Sequence, residues 1–331
     1  MKEAVGNMEE SKLPERKYEV IIIGGGPGGL TAGLYASRAS LRTLLVESGT
    51  VMSQITVTHL VENYPGVPDI GGFELVEKFK EQAKKFGLKT IFSSVMGLEK
   101  TEIDGMPGWR VKTDAGDYEA LSVVVATGAN WRKIGIPGEA EFTGRGVSYC
   151  ATCDGPFYRD REVVVIGGGD TAVQEALFLT NFASKVTIVH RRNRLRAAPI
   201  LRERAASNPK IAFAWDAVVT EIGGSETVTH VTVANVKEPK ETRDIVADGV
   251  FVFVGLVPNT AFLTGQVKLD KEGYIVADRD MKTSESGIFA CGDCIDKLLR
   301  QVVTACGDGA TAAFSAQLYI EELKGEKYGG R

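Results

Sequence analysis

Two cysteines two residues apart are followed at once by an acid, in the run Cys150-Ala-Thr-Cys153-Asp154. A CxxC pair can cycle between dithiol and disulfide. The thiolate is the attacking form, and a pair that opens a helix favours it. A carboxylate behind the pair can take up and return the proton that such an exchange moves. The plainer use of Asp154 is an Asp-Gly turn. One Gly-rich signature lies far upstream of this run, and a second begins fourteen residues after Cys153, at Gly167. A dithiol between two nucleotide sites points to electrons passing from a bound cofactor to a disulfide.

The elements that would position these groups repeat. Tyr18 to Ile23 is short, β-branched and stopped by glycine, which predicts a buried strand. Gly24, Gly26 and Gly29 then form GxGxxG, a helix follows over about 30–40, and a second strand over 41–46 ends at Glu47. The first glycine makes the tight turn, the second admits a pyrophosphate to the backbone, and the third lets helix pack on strand. Glu47 stands where an acid accepts hydrogen bonds from ribose hydroxyls. The strand over 122–126 ends in Thr127-Gly128, and such strand ends line the ligand crevice of an α/β sheet.

The second unit has the same spacing. A strand over 162–166 runs into Gly167-Gly-Gly169-Asp170-Thr171-Ala172, a GxGxxA form. Gly24 to Glu47 spans 23 positions, and so does Gly167 to His190. The acid is replaced by His190, followed by Arg191, Arg192, Arg194 and Arg196. Guanidinium groups in place of the ribose acid suit a 2′-phosphate, hence NADPH rather than NADH. Arg191, Arg192 and Arg196 are the expected phosphate contacts, Arg194 is expected to face solvent, and His190 is expected to pack beside the nucleotide.

Around these motifs, helical spacing predicts a helix over 73–86 and a last helix over about 305–324. Alternation predicts antiparallel strands over 88–120, with turns at 104–105 and 115–116, and another antiparallel insertion and strand over 210–254, closed by Val250-Phe-Val-Phe-Val-Gly255. His59 and His230 are read as loop and strand residues without a chemical role. The 331 residues suit two domains. A net charge of −4 gives no argument for nucleic acid or anionic membrane. No apolar run approaches the roughly 20 residues that span a bilayer. Residues 1–17 are polar and mixed in charge, the pattern of a loose extension rather than a signal peptide. Five cysteines fit a reducing cytoplasm better than a disulfide scaffold.

Together the motifs resemble the low-molecular-weight thioredoxin reductases. The matching pieces are Gly24–Gly29, Val61–Gly66, Val123–Gly128, Cys150–Gly155, Gly167–Ala172, His190–Ala197, Gly292-Asp293, and Arg300-Gln301 with Thr304-Ala305. The resemblance implies two Rossmann-like three-layer ββα nucleotide-binding domains, the second inserted in the first. The FAD domain would take residues 1–128 and 258–331, and the NADPH domain with the CxxC would take 129–257. It implies Gln54, Asn63, Asp293, Arg300 and Gln301 near the flavin, with Cys153 facing it, Cys150 attacking the partner disulfide and Asp154 moving the proton. It further implies thioredoxin as partner, a homodimer, and rotation of the NADPH domain about hinges at 129–131 and 255–259.

Three features depart from that pattern. Met52-Ser53 stands before Gln54 where the family commonly has Gly-Gly. Cys291 and Cys294 make a second CxxC around Asp293, with Cys306 beyond. A four-cysteine zinc site is disfavoured because 137 residues separate Cys153 from Cys291, so no metal is expected. A second redox pair and buried inert thiols stay open. The rival functions are a flavoprotein reducing another protein or small-molecule disulfide, and a nucleotide-binding redox sensor that does not turn over.

Overall fold

Apolar runs buried on both faces form the centre of each parallel sheet, which is the environment such sheets require. The structure, a computed structural model, describes residues 16–49, 53–58 and 61–326. Met52, His59 and nearly all of the extension expected over 1–17 lie outside the described residues. The described residues divide into two units. One takes residues 16–49, 79–127 and 260–326, and the other takes 53–58, 61–78 and 128–259. The sequence division differs in running 53–78 with the first nucleotide unit.

The described residues begin with β1 (Lys17–Ile23), α1 (Pro27–Arg38) and β2 (Thr43–Glu47), then α2 (Gly72–Lys85), β3 (Lys89–Phe92), β4 (Val95–Ile103), β5 (Met106–Thr113) and β6 (Tyr118–Val125). Strands β3, β2, β1 and β6 stand side by side and are parallel. The first half of β6 also pairs antiparallel with β5, and β5 pairs with β4, making a meander. Its turn falls at Asp104-Gly105, as expected from the sequence, and has positive φ at both residues. Helix α1 starts three residues before the expected point. Pro27 holds the first helical position, where its fixed φ and missing N–H cost nothing.

The second unit contains β7 (Ala129–Trp131), β8 (Val147–Ser148), α3 (Ala151–Asp154), β9 (Glu162–Gly167), α4 (Asp170–Leu179), β10 (Lys185–Val189), α5 (Pro199–Ser207) and β11 (Ile211–Ala214). After these come β12 (Ala217–Gly224), β13 (Val228–Asn235), β14 (Thr242–Val246), β15 (Gly249–Phe253) and β16 (Leu256–Pro258). Its parallel sheet has the order β11-β10-β9-β15-β8. Within 210–254, β12, β13 and β14 are the antiparallel strands. The region 210–254 is therefore not one antiparallel insertion. β11 follows the crossover helix α5, and a strand reached through a crossover returns parallel to its neighbour. Strands β7 and β16 pair antiparallel, with Trp131 opposite Leu256 and Ala129 opposite Pro258.

The chain then returns to the first unit as β17 (Ile288–Ala290) and α6 (Val302–Leu323). β17 pairs parallel with the second half of β6, so β6 serves the parallel sheet and the meander along the same edge. Helix α6 packs on α1 at backbone contact: a Cβ on Gly309 would stand 2.1 Å from the Gly28 carbonyl oxygen. It begins at Val302 because Gln301 caps it. The Thr304 hydroxyl accepts from the Gln301 N–H at 3.2 Å, and the Gln301 side chain accepts from the Thr304 N–H.

Candidate functional site

The first glycine loop is crowded on one side and open on the other. A Cβ on Gly24 would lie 2.3 Å from the Ala126 oxygen, and one on Gly29 would lie 1.9 Å from the Gly24 oxygen. At Gly26, the N-cap of α1, a Cβ would meet nothing within 4 Å. The approach that a pyrophosphate needs is thus clear at Gly26, while the flanking glycines hold helix against strand. Glu47 sits against this loop, its carboxyl carbon 2.4 Å from where a Gly25 Cβ would be. Gly128 has φ +65° with open space around it, directly after Thr127 at the end of β6.

In the same unit, Cys291-Gly292-Asp293-Cys294 forms a tight turn after β17. Gly292 has φ +75°, and its N–H donates to Asp308 on α6 at 3.2 Å. Asp308 is also ion-paired with Lys297. Burial raises the Asp293 carboxyl above the ordinary carboxylate range. Its Oδ1 is buried with no hydrogen-bond partner among the described residues. The same holds for Arg300 Nε, although the Arg300 guanidinium lies 4.1 Å from the Tyr274 ring centre and donates to the Ile295 oxygen. A buried acceptor and a buried donor left over in the unit that carries the open glycine loop are what a polar cofactor chain would satisfy. Gln301 stands next to Arg300 as the cap of α6. The remaining two expected flavin residues fall in the other unit, where the Gln54 amide donates to the Ala129 oxygen and Asn63 is exposed.

The second glycine loop repeats this construction. A Cβ on Gly167 would meet the Phe253 oxygen at 2.4 Å and the Ala172 methyl at 2.7 Å. The methyl that ends GxGxxA is therefore packed against the first glycine. Gly169 is open, with only an Arg196 guanidinium nitrogen near, at 3.8 Å from a Cβ position. Three bonds lace the arginine loop to the glycine loop. The N–H groups of Arg196 and Ala197 donate to the Gly168 oxygen at 2.7 and 3.1 Å, and the Ala198 N–H donates to Asp170 Oδ1 at 2.7 Å. Asp170 thus acts as a brace, while Thr171 is exposed in the first turn of α4. His190 is buried, and burial followed by the Arg196 and Arg192 charges lowers its pKa. Arg191, Arg192, Arg194 and Arg196 are all exposed, so exposure does not single out Arg194.

Cys150 and Cys153 are joined as a disulfide at the start of α3. Cys150 is the N-cap, and its Sγ accepts from the Cys153 N–H at 3.1 Å. Ser148 holds the turn from both sides, accepting from the Cys150 N–H at 3.0 Å and donating to the Cys150 oxygen at 3.2 Å. Cys153 is exposed, whereas Cys150 and Asp154 are half-buried. Burial and then the nearby Asp154 charge raise the Tyr158 hydroxyl pKa. Cys291 and Cys294 are fully buried thiols, and Cys294 belongs to the core under β6. Burial pushes the Cys291 thiol well up, away from the reactive form. Among the described residues no group of three or more His, Cys, Asp or Glu is arranged to hold a metal ion. No helix among them is long and apolar enough to cross a membrane.

Residues 18–309 match the family model for pyridine nucleotide-disulphide oxidoreductases. The chain belongs to that family. Within it, the chain is 48% identical over 319 residues to a thioredoxin reductase of Peptoclostridium litorale, covering 94% of this chain and 100% of the relative. It is 48% identical to a thioredoxin reductase of Bacillus subtilis, covering 94% and 97%. The crystal structure of Lactococcus lactis thioredoxin reductase in its FR conformation superposes with a TM-score of 0.89 at 44% identity, covering 92% of this chain and 100% of that one. The thioredoxin reductase of T. acidophilum superposes with a TM-score of 0.87 at 34% identity, covering 93% and 99%.

Proposed function

We propose that this chain is an NADPH-dependent flavoprotein that reduces the disulfide of thioredoxin. The observation that carries the reading is the Cys150–Cys153 disulfide at a helix start, in the same unit as a glycine loop laced to the end of an arginine-rich segment. FAD is assigned to the first unit. Gly26 would admit its pyrophosphate, Glu47 would accept from its ribose, Asp293 would meet its ribityl or phosphate region, and Arg300 would lie near its ring. NADPH is assigned to the second, with Gly167, Gly169 and Ala172 under the phosphates and Arg191, Arg192 and Arg196 on the 2′-phosphate. The chemistry FAD supplies when bound is uptake of a hydride from NADPH and delivery of the electron pair to the Cys150–Cys153 disulfide.

The protein side of the exchange follows from α3. After reduction, the Cys150 thiolate keeps the Cys153 N–H as donor, so Cys150 is the stabilised nucleophile although Cys153 is the more exposed. The Cys150 thiolate attacks one partner sulfur, forming a mixed disulfide and releasing one partner thiolate. The Cys153 thiolate then attacks Cys150, closing the Cys150–Cys153 bond and releasing the second. Asp154 takes up and returns the proton between turnovers. A dithiol that serves both a bound cofactor and a protein needs two presentations. We assign that motion to rotation about 129–131 and 255–259, the strands that pair as β7 and β16.

The protein is further proposed to act as a cytoplasmic homodimer. Phe314 and Leu318 on α6, with Leu298 and Leu299 before it, are exposed apolar side chains that a second copy would cover. Sedimentation of the flavin-loaded protein reads that state. The function is tested by NADPH-driven reduction of an aromatic disulfide dye, with and without thioredoxin. Turnover that depends on thioredoxin is expected, and turnover indifferent to it would sink the reading.

A further inference from the structure

The residue before Cys150 is tied to a buried carboxylate that the exchange does not use. Glu139 is 3% exposed. Its Oε1 accepts from the Ile134 N–H at 2.9 Å and from the Tyr149 hydroxyl at 2.7 Å, and its Oε2 accepts from the Gly135 N–H at 2.6 Å. Burial by itself pushes the Glu139 carboxyl up, but the two N–H donors and the hydroxyl outweigh it and hold the group below its ordinary range. Burial, then the bond to Glu139, raises the Tyr149 hydroxyl, so it stays a donor. The Glu139 backbone is braced as well, its oxygen accepting from the Thr143 hydroxyl at 2.7 Å.

Downstream of Tyr149 the chain must deliver Cys150 with φ −140° and ψ 98°, the extended geometry that sets its sulfur on the Cys153 N–H. Ser148 and Tyr149 are the last two residues before that turn. Ser148 bonds Cys150 directly, and Tyr149 fastens the turn to Glu139. Glu139 also binds residues 134 and 135, three and four positions past β7. One carboxylate therefore anchors both the redox turn and the chain leaving the paired linker strands.

We propose that Glu139 and Tyr149 are positioning residues for thiol–disulfide exchange, holding Cys150 as the cap of α3 so that its thiolate forms on the Cys153 N–H. The proposal rests on the reading of Cys150–Cys153 as the exchanging pair. Loss of the anchor loosens the cap without touching either nucleotide loop. It acts on the exchange half of the reaction alone.

The test compares Tyr149→Phe and Glu139→Gln with the wild type as flavin-loaded enzymes. Three readouts are taken: NADPH-driven reduction of thioredoxin, NADPH-driven reduction of ferricyanide (which bypasses the dithiol), and the redox equilibrium of Cys150–Cys153 in a dithiothreitol buffer. Loss of one charge-assisted bond predicts an approximately three- to tenfold lower kcat with thioredoxin for Tyr149→Phe. The KM for NADPH and the ferricyanide rate should stay at wild-type values, and the dithiol equilibrium should shift toward the disulfide. Unchanged thioredoxin turnover in Tyr149→Phe overturns the proposal, as does an equal fall in both activities, which marks a role in folding only. If Glu139→Gln does not fold, Tyr149→Phe decides alone. A Cys153→Ser control that still turns over thioredoxin instead overturns the underlying reading of the pair, and the positioning role with it.

Discussion

Gly168 lies directly against the His190 ring: a Cβ there would stand 2.4 Å from both Nδ1 and Cε1. Gly25 stands in the same relation to Glu47, at 2.4 Å from the carboxyl carbon. The two units thus share one construction, in which a glycine of the loop makes room for the side chain that ends the second strand. Only the chemistry of that side chain differs. His190→Glu should therefore fit and should restore a ribose-binding acid. The expected result is about a tenfold or greater rise in the KM for NADPH, with a fall in that for NADH, because a carboxylate repels the 2′-phosphate. Steady-state kinetics with both coenzymes reads this.

The pH dependence of stability follows from the same histidine. Its folded pKa lies below the usual value of 6.5, through burial and then the Arg196 and Arg192 charges. Below about pH 6.5 the unfolded chain binds a proton that the folded one refuses. Stability is therefore full above that pH and falls as pH drops toward the lowered folded value. The thermal midpoint should decline less steeply between pH 7.5 and 5 in His190→Gln than in the wild type.

Trapping distinguishes the two active cysteines. With Cys153→Ser, Cys150 retains its thiol and should accumulate a mixed disulfide with thioredoxin, because nothing resolves it. Cys150→Ser should accumulate far less. Non-reducing gels and mass measurement of the conjugate read the outcome, and equal trapping by both variants would reverse the assignment.

Thiol counting tests the second CxxC. Cys291 and Cys294 are reduced and fully buried in the described structure. Reduction by NADPH should release two new thiols per subunit rather than four. Cys291→Ala with Cys294→Val should keep thioredoxin turnover within about twofold, since a free buried cysteine packs as a small apolar group.

Gly29→Ala tests the first loop. The added methyl would stand 1.9 Å from the Gly24 oxygen, which is backbone and has nowhere to move. Overpacking of this kind costs about 1–3 kcal/mol. The variant should purify with depleted flavin and a lower thermal midpoint, whereas Gly26→Ala, at an open position, should fold normally and lose affinity for the cofactor.

Both glycine loops, the strands before them and Cys150–Asp154 were legible in the sequence, because each depends on residues close along the chain. Periodicity of two or 3.6, a stop at glycine, and a spacing of 23 residues are local signals. The pairing sense of β11 and β15 was not legible. Parallel and antiparallel partners show the same apolar run, and only the crossover through α5 separates them.

The sequence by itself determined which groups are present: two nucleotide loops of one design, an acid in one and arginines in the other, and a dithiol ahead of the second. Only the tertiary structure decided how those groups are held. Asp170 reaches Ala198 and Glu139 reaches Tyr149, and no local rule links either pair. The second CxxC is held by the same kind of long-range packing. Its spacing matches that of Cys150 and Cys153, yet both of its thiols are fully buried, and burial pushes the Cys291 thiol well up.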